Sequence, residues 1–193
     1  STTVFKSATI KENCIQFDDK IKPNFEDGKF IADYILNCDS GNILFLKDAI
    51  YYYRKREDGS STLDTAWGKE EKYYNVLKFG HLSMLQEYKA KYGYVPEHVQ
   101  RTALYDISWY VKYLLNNSNK ISFLTNEQQE IFLNLVFEIF TYIDEKTILD
   151  FNLAGIWFFQ KVGMLGMFKN TQPENLIVYI ENIDKEKKQI LFS

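Results

Sequence analysis

Cysteine, proline and glycine are all scarce in this chain of 193 residues, at two, three and nine respectively. Two cysteines, Cys14 and Cys38, cannot build the framework of bridges that holds a small secreted domain. With His81 and His98, the two histidines, they form no zinc spacing. Both are expected to be reduced thiols of a cytosolic protein. So little glycine and proline leaves too few tight turns for a many-stranded sandwich or barrel. Positive charge is not in excess either. Lys and Arg number 23 against 26 Asp and Glu, a net charge of −3, so no basic groove for nucleic acid is expected. The chain does not open on a charged segment followed by an apolar one, so no signal peptide is expected. It begins with Ser rather than Met, as a processed product or a piece of something longer would.

Aromatic residues, by contrast, are plentiful: 15 Phe, 14 Tyr and 3 Trp make up 17% of the chain, against the low aromatic content of disordered proteins. With 46% hydrophobic residues the chain can bury a core, and helices should dominate it.

Residues 1–40 predict a short helix, a polar turn at Asp18-Asp19-Lys20 and a second helix, in which Phe30, Ile31, Tyr34 and Ile35 recur at helical spacing. Asn42 to Arg54 is rich in β-branched and aromatic residues, which predicts two short strands broken at Lys47-Asp48. Arg54 to Trp67 is a polar loop of about a dozen residues, a length more often functional than merely connecting. From Lys69 the spacing is helical again, with Tyr73, Val76, Leu77, Leu85 and Tyr88 on one stripe up to Gly93. Pro96 should open the next helix, with Val99, Ala103, Ile107, Val111 and Leu114 inward. Asn116 to Asn119 is a loop. Thr125 and Gln128 form a capping-box pattern for a helix facing inward through Leu133, Val136, Phe137 and Phe140. A further helix from about Glu145 should run into Asn152–Phe168. Leu176 to Ile180, a polar turn at Asp184–Lys187, and Gln189 to Phe192 predict a β-hairpin, marginal by itself.

Two segments carry candidate chemistry. Glu26-Asp27 stands between Pro23 and Gly28 at a helix start, where carboxylates cap the helix and suit its dipole. A carboxylate held there can also act as a general base. The second segment runs from Tyr51 to Thr62. It sets Arg54 and Arg56, with Ser60 and Ser61 after a glycine, on the loop that leaves an aromatic strand. Guanidiniums pair bidentately with phosphate and a Gly-Ser turn offers donors, although the same residues also suit a solvated loop with internal ion pairs.

Taken in order, Phe17-Asp18, Phe25-Glu26-Asp27-Gly28-Lys29-Phe30 and Tyr52-Tyr53-Arg54 with Ser60-Ser61 resemble the C-terminal half of a family 2 glycosyltransferase, over about residues 5–67. The helices beyond look like the C-terminal extension of bacterial capsule and teichoic-acid-type enzymes of that family. The resemblance implies the acceptor-side edge of a GT-A domain and a nucleotide-sugar donor. It implies Asp27 as catalytic base, Glu26 orienting the acceptor, and Arg54, Arg56, Ser60 and Ser61 near the donor diphosphate. Arg56 stands where many members have His, so no metal ligand is assigned to this loop. The Rossmann-like half and its Asp-x-Asp motif have no room upstream of residue 17. The resemblance therefore implies a fragment, inactive alone, of a longer parent that uses a divalent metal such as Mg or Mn. The parent would act on a surface polysaccharide in the cytoplasm or at the inner face of the bacterial membrane.

The expected fold is α+β, mostly α. Its expected parts are a GT-A piece over 1–67, a helical extension over 68–170 and a β-hairpin over 171–193. Asn152–Phe168 is apolar but short for a span and carries Lys161, which favours a buried core helix over peripheral membrane contact. The Tyr and Trp residues within 88–113 are expected in the core rather than on a sugar-stacking platform, and His81 and His98 on helix surfaces or at an interface. The rival reading is a non-catalytic helical interaction module.

Overall fold

Helices account for most of the architecture because apolar side chains recur every three or four residues through most of the chain. In the computed structural model, residues 3–38, 44, 47–50, 52, 65–175 and 180–192 are described. The elements are α1 (Ser7–Glu12), α2 (Glu26–Leu36), a 3-10 turn (Ala66–Gly68), α3 (Glu70–Tyr73), a π-helical segment (Val76–Leu82) and α4 (Ser83–Tyr92). They continue with α5 (Glu97–Leu114), a 3-10 turn (Ser118–Ile121), α6 (Asn126–Thr141), α7 (Glu145–Asp150), α8 (Phe158–Met164), a second π-helical segment (Leu165–Lys169), β1 (Ile180–Asp184) and β2 (Gln189–Phe192). Among the described residues the fold is mostly helical with one short antiparallel strand pair, the α+β class expected.

Local signals set several boundaries as expected. Thr125 Oγ1 accepts from the Gln128 amide while the Gln128 side chain accepts from the Thr125 amide, closing the capping box of α6. Gly93 ends α4 at φ 79°, in the left-handed region that glycine enters freely. Pro96 precedes α5. Asp184 Oδ1 accepts from the amides of Glu186 and Lys187 and shapes the hairpin turn, and β1 pairs with β2 from Asp184–Gln189 outward. β1 is described from Ile180 onward, and residues 176–179 of the first expected strand lie outside the described residues. Lys47 and Asp48 form a turn, whereas the two strands expected around them lie outside the described residues.

One core unites α2 with the helices from 73 to 165. Ala32 and Leu36 of α2 share it with Tyr73, Leu77, Leu85, Tyr88, Ile107, Phe140 and Phe151, among others. The Tyr88 hydroxyl donates to the Ala32 carbonyl at 2.7 Å, and Lys29 reaches Asp33 at 2.5 Å and Glu87 at 2.9 Å. Burial raises the Asp33 carboxyl against the pull of Lys29. Glu87 is also pushed upward by burial, but hydrogen bonds from Ser83 and Lys29 hold it below the ordinary value. Gln100 is buried and fully paired. It donates to Val95 O and Asp144 Oδ2 and accepts from the Asp144 amide and Thr147 hydroxyl, which pins the start of α5 to the α6–α7 corner.

Three expectations are corrected. Asn152–Phe168 is not one core helix: residues 152–157 are non-helical, with Ala154 and Gly155 at positive φ, and α8 is followed by a π-helical segment. Trp157 and Phe159 are more than half exposed, and the burial comes from Gln160, Met164 and Leu165. The α6 stripe is rotated. Phe132, Leu135, Val136, Ile139 and Phe140 are buried, while Leu133 and Phe137 are about two-fifths exposed. Three consecutive apolar residues, Leu135, Val136 and Phe137, leave the helical face ambiguous from spacing alone. Finally, His81 is fully buried rather than at a surface, whereas His98 is exposed.

Candidate functional site

The turn into α2 is built around one aromatic ring. Phe25, the residue before α2, sits at φ 80°, where a non-glycine residue is strained by about 1–3 kcal/mol. Packing holds it there. Its ring lies 3.8 Å from the His81 ring, centre to centre, and fits between two glycines. A Cβ on Gly28 would stand 2.8 Å from Phe25 Cε2, and one on Gly80 would stand 2.7 Å from Cδ1. Both are closer than carbon atoms approach, so both positions require glycine for this ring to seat. Gly80 and His81 belong to the first π-helical segment, a geometry frequent at functional sites.

His81 is in turn held by a buried charge cluster. Its Nε2 lies 2.9 Å from Asp106 Oδ2, and Lys72 Nζ lies 3.3 Å from the same oxygen. Burial alone would raise the Asp106 carboxyl, but the hydrogen bond to His81 and the Lys72 charge outweigh it and hold the group below the usual carboxylate value. Burial lowers Lys72, against the attraction of Asp106. The Lys72 ammonium also stands over the rings of Tyr110, at 4.5 Å, and Trp67, at 5.1 Å.

Among the described residues, the buried side-chain atoms left without a hydrogen-bond partner are Asn24 Oδ1, Glu26 Oε2 and His81 Nδ1. All three lie in or beneath the Phe25 turn. Unpaired buried polar atoms are rare because each costs about 1–3 kcal/mol, so their concentration here marks a place built for something other than stability.

The turn forms one lip of a cleft of about 1090 Å³. Asn24, Glu26 and Asp27 line it from the turn, together with Trp67 and Lys72. Arg101, Tyr105 and Trp109 of α5 form another part of its wall. Asp27 is exposed, with Oδ1 accepting from the Gly28 amide at 2.8 Å, and Glu26 is half-buried. Expected site residues Glu26 and Asp27 are thus together at a cleft. Arg54, Arg56, Ser60 and Ser61 lie outside the described residues. Among the described residues no three His, Cys, Asp or Glu side chains converge as a metal site.

Sequence reasoning missed the α5 wall. Tyr88 and Tyr110 are core residues as expected, but Tyr105 and Trp109 are 45% and 41% exposed and face the cleft. The signal was present: His98, Arg101, Thr102, Tyr105, Asp106 and Trp109 recur at intervals of one, three and four, a second helical stripe beside the apolar one.

Two curated proteins of Bacillus subtilis strain 168 are similar to the chain. The minor teichoic acid biosynthesis protein GgaB is 28% identical over 149 residues, which is 77% of this chain and 16% of GgaB. The minor teichoic acid biosynthesis protein GgaA is 24% identical over 186 residues, which is 96% of this chain and 39% of GgaA. The chain therefore matches well under half the length of either relative. No family model matches, and no solved structure matches. No helix among the described residues is long and apolar enough to cross a membrane.

Proposed function

We propose that the chain is the acceptor-side part of an inverting glycosyltransferase that helps assemble a teichoic-acid-like polymer of the cell envelope. The observation that carries this reading is the placement of Glu26-Asp27. The pair opens a helix at the lip of a cleft whose lining includes Tyr105 and Trp109. Similarity to two teichoic acid biosynthesis proteins supports the kind of polymer.

In this reading Asp27, accessible and carboxylate-bearing, takes the proton of an acceptor hydroxyl as its oxygen attacks the anomeric carbon of the donor sugar. The bond from that carbon to the diphosphate breaks, and the nucleoside diphosphate leaves with the electron pair. Glu26 holds the acceptor through its unpaired Oε2. The nucleotide-sugar donor, with Mg or Mn where the parent uses it, is bound by the longer protein, and Arg54, Arg56, Ser60 and Ser61 contact its diphosphate. The chain alone is then inactive.

The test is Asp27→Asn in the full-length enzyme at saturating donor. Removing a general base should lower kcat by about 10²–10⁴-fold with the fold intact. Near-normal turnover would remove Asp27 from the mechanism and favour a helical interaction module.

A further inference from the structure

Resting on the reading above, we infer that the exposed face of α5 is a saccharide platform: Trp109 stacks an uncharged sugar ring of the acceptor with Tyr105 beside it, while Asn24 Oδ1 and Glu26 Oε2 accept hydrogen bonds from its hydroxyls. The acceptor site is then shared between the turn before α2 and a helix some 80 residues downstream, and neither segment forms it alone.

Aromatic geometry comes first. Two neighbouring exposed rings in a cleft offer an apolar contact surface, and a sugar ring presents a C–H face that suits an aromatic one. Trp109 is held in place before any ligand arrives. Lys112 Nζ stands 5.0 Å from its ring centre and is itself fixed by donating to the Ala154 carbonyl at 2.6 Å. The Tyr105 ring meets Trp109 edge-on at 6.4 Å. A ring oriented in advance loses little entropy on binding.

Hydrogen bonding identifies the chemistry. Asn24 Oδ1 and Glu26 Oε2 are buried acceptors without donors. Sugar hydroxyls supply donors; a phosphate diester supplies none. Charge argues the same way. Among the described residues Glu26, Asp27 and Asp106 line the cleft, while Lys72 is paired with Asp106 and Arg101 with Glu97 at 3.6 Å, with further contacts to Asp150 O and Asn152. A site for the anionic part of a polymer would leave its guanidinium free. This one selects the neutral sugar.

The chain itself can be titrated with methyl hexopyranosides and 2-acetamido-hexopyranosides, and separately with sn-glycerol 3-phosphate and inorganic phosphate, by indole fluorescence and saturation-transfer NMR. At least one uncharged sugar should bind saturably in the millimolar range and the anions should not. Trp109→Ala should weaken that sugar about tenfold or more, and Trp109→Phe should recover part of it. Trp157→Ala, also exposed but outside the cleft, should bind as the wild type does. Saturable binding of the anions alone, no saturable sugar signal, or unchanged sugar binding by Trp109→Ala each overturns the platform. In the full-length enzyme Trp109→Ala should raise the acceptor KM with kcat nearly kept, whereas Asp27→Asn lowers kcat. A normal acceptor KM for Trp109→Ala beside an inactive Asp27→Asn would reject the platform and leave the glycosyltransferase reading standing. Sugar binding by the chain beside an active Asp27→Asn would do the reverse.

Discussion

The two faces of α5 share one helix and one periodicity yet answer to different physics. Val99, Ala103, Leu104 and Ile107 are sealed in the core, and their placement follows from excluding water. The adjacent face carries Thr102, Tyr105, Asp106 and Trp109 into the cleft, with two aromatic rings nearly half exposed and a carboxylate paired with the buried Lys72. Burial cannot account for that second face. A helix that alternates an apolar stripe with a stripe of rigid aromatics and paired charges separates the residues that hold the fold from those that meet a ligand.

The sharpest way to break the contrast is at Asp106, which lies on the cleft face but is tied into the interior. Asp106→Ala leaves the Lys72 ammonium buried and His81 Nε2 unpaired, and should cost about 3–5 kcal/mol in urea denaturation. A loss below about 1 kcal/mol would mean that Lys72 escapes to water and that the cluster does not support the turn. The same group sets an acid limit. Its native pKa lies below the unfolded value of about 3.9, so its contribution is complete above that pH and is lost as pH falls through the lower native value. Wild-type stability should therefore fall more steeply below about pH 4 than that of Asp106→Asn.

Next comes a direct comparison of the faces. Ile107→Ala should cost about 2–5 kcal/mol because it opens a cavity in a fully buried site. Trp109→Ala removes a larger side chain but should cost about 1 kcal/mol or less, mainly its contact with Lys112. Equal losses in thermal melts would mean that Trp109 is a core residue and would erase the distinction.

Gly80→Ala probes the link between interior and cleft. The added methyl meets the Phe25 ring and should cost about 1–3 kcal/mol of overpacking. In the full-length enzyme it should also lower transfer beyond what the remaining folded fraction explains, since Glu26-Asp27 follows the ring. Unchanged stability and activity would show that the turn does not depend on the seated ring.

The smallest effect is expected at Trp157. It lies in the apolar Asn152–Phe168 stretch expected to be a core helix, and a core tryptophan would lose about 3–5 kcal/mol on truncation. More than half exposed, Trp157→Ala should change stability by no more than about 0.5 kcal/mol, read from the urea midpoint at unchanged slope.

What the sequence determined by itself was local. The Thr125–Gln128 box, Gly93, Pro96 and the polar hairpin turn place their boundaries because each acts through bonds or dihedrals within a few residues. The mostly helical class follows from apolar spacing, and Glu26-Asp27 is legible as a carboxylate pair at a helix start. Tertiary structure decided the rest. His81 has the composition of a surface residue and becomes a buried one because Asp106, 25 positions away, pairs with it and Phe25 covers it. The Phe25 seat exists because Gly80 and Gly28 approach the same ring from different segments. The cleft exists because α2, tied to α4, brings its first turn opposite α5. Each of these depends on which distant segments share the core, and chain spacing carries no record of that. The free energy of burial is summed over the whole core, so it can override local preference at single residues such as His81 and Phe25.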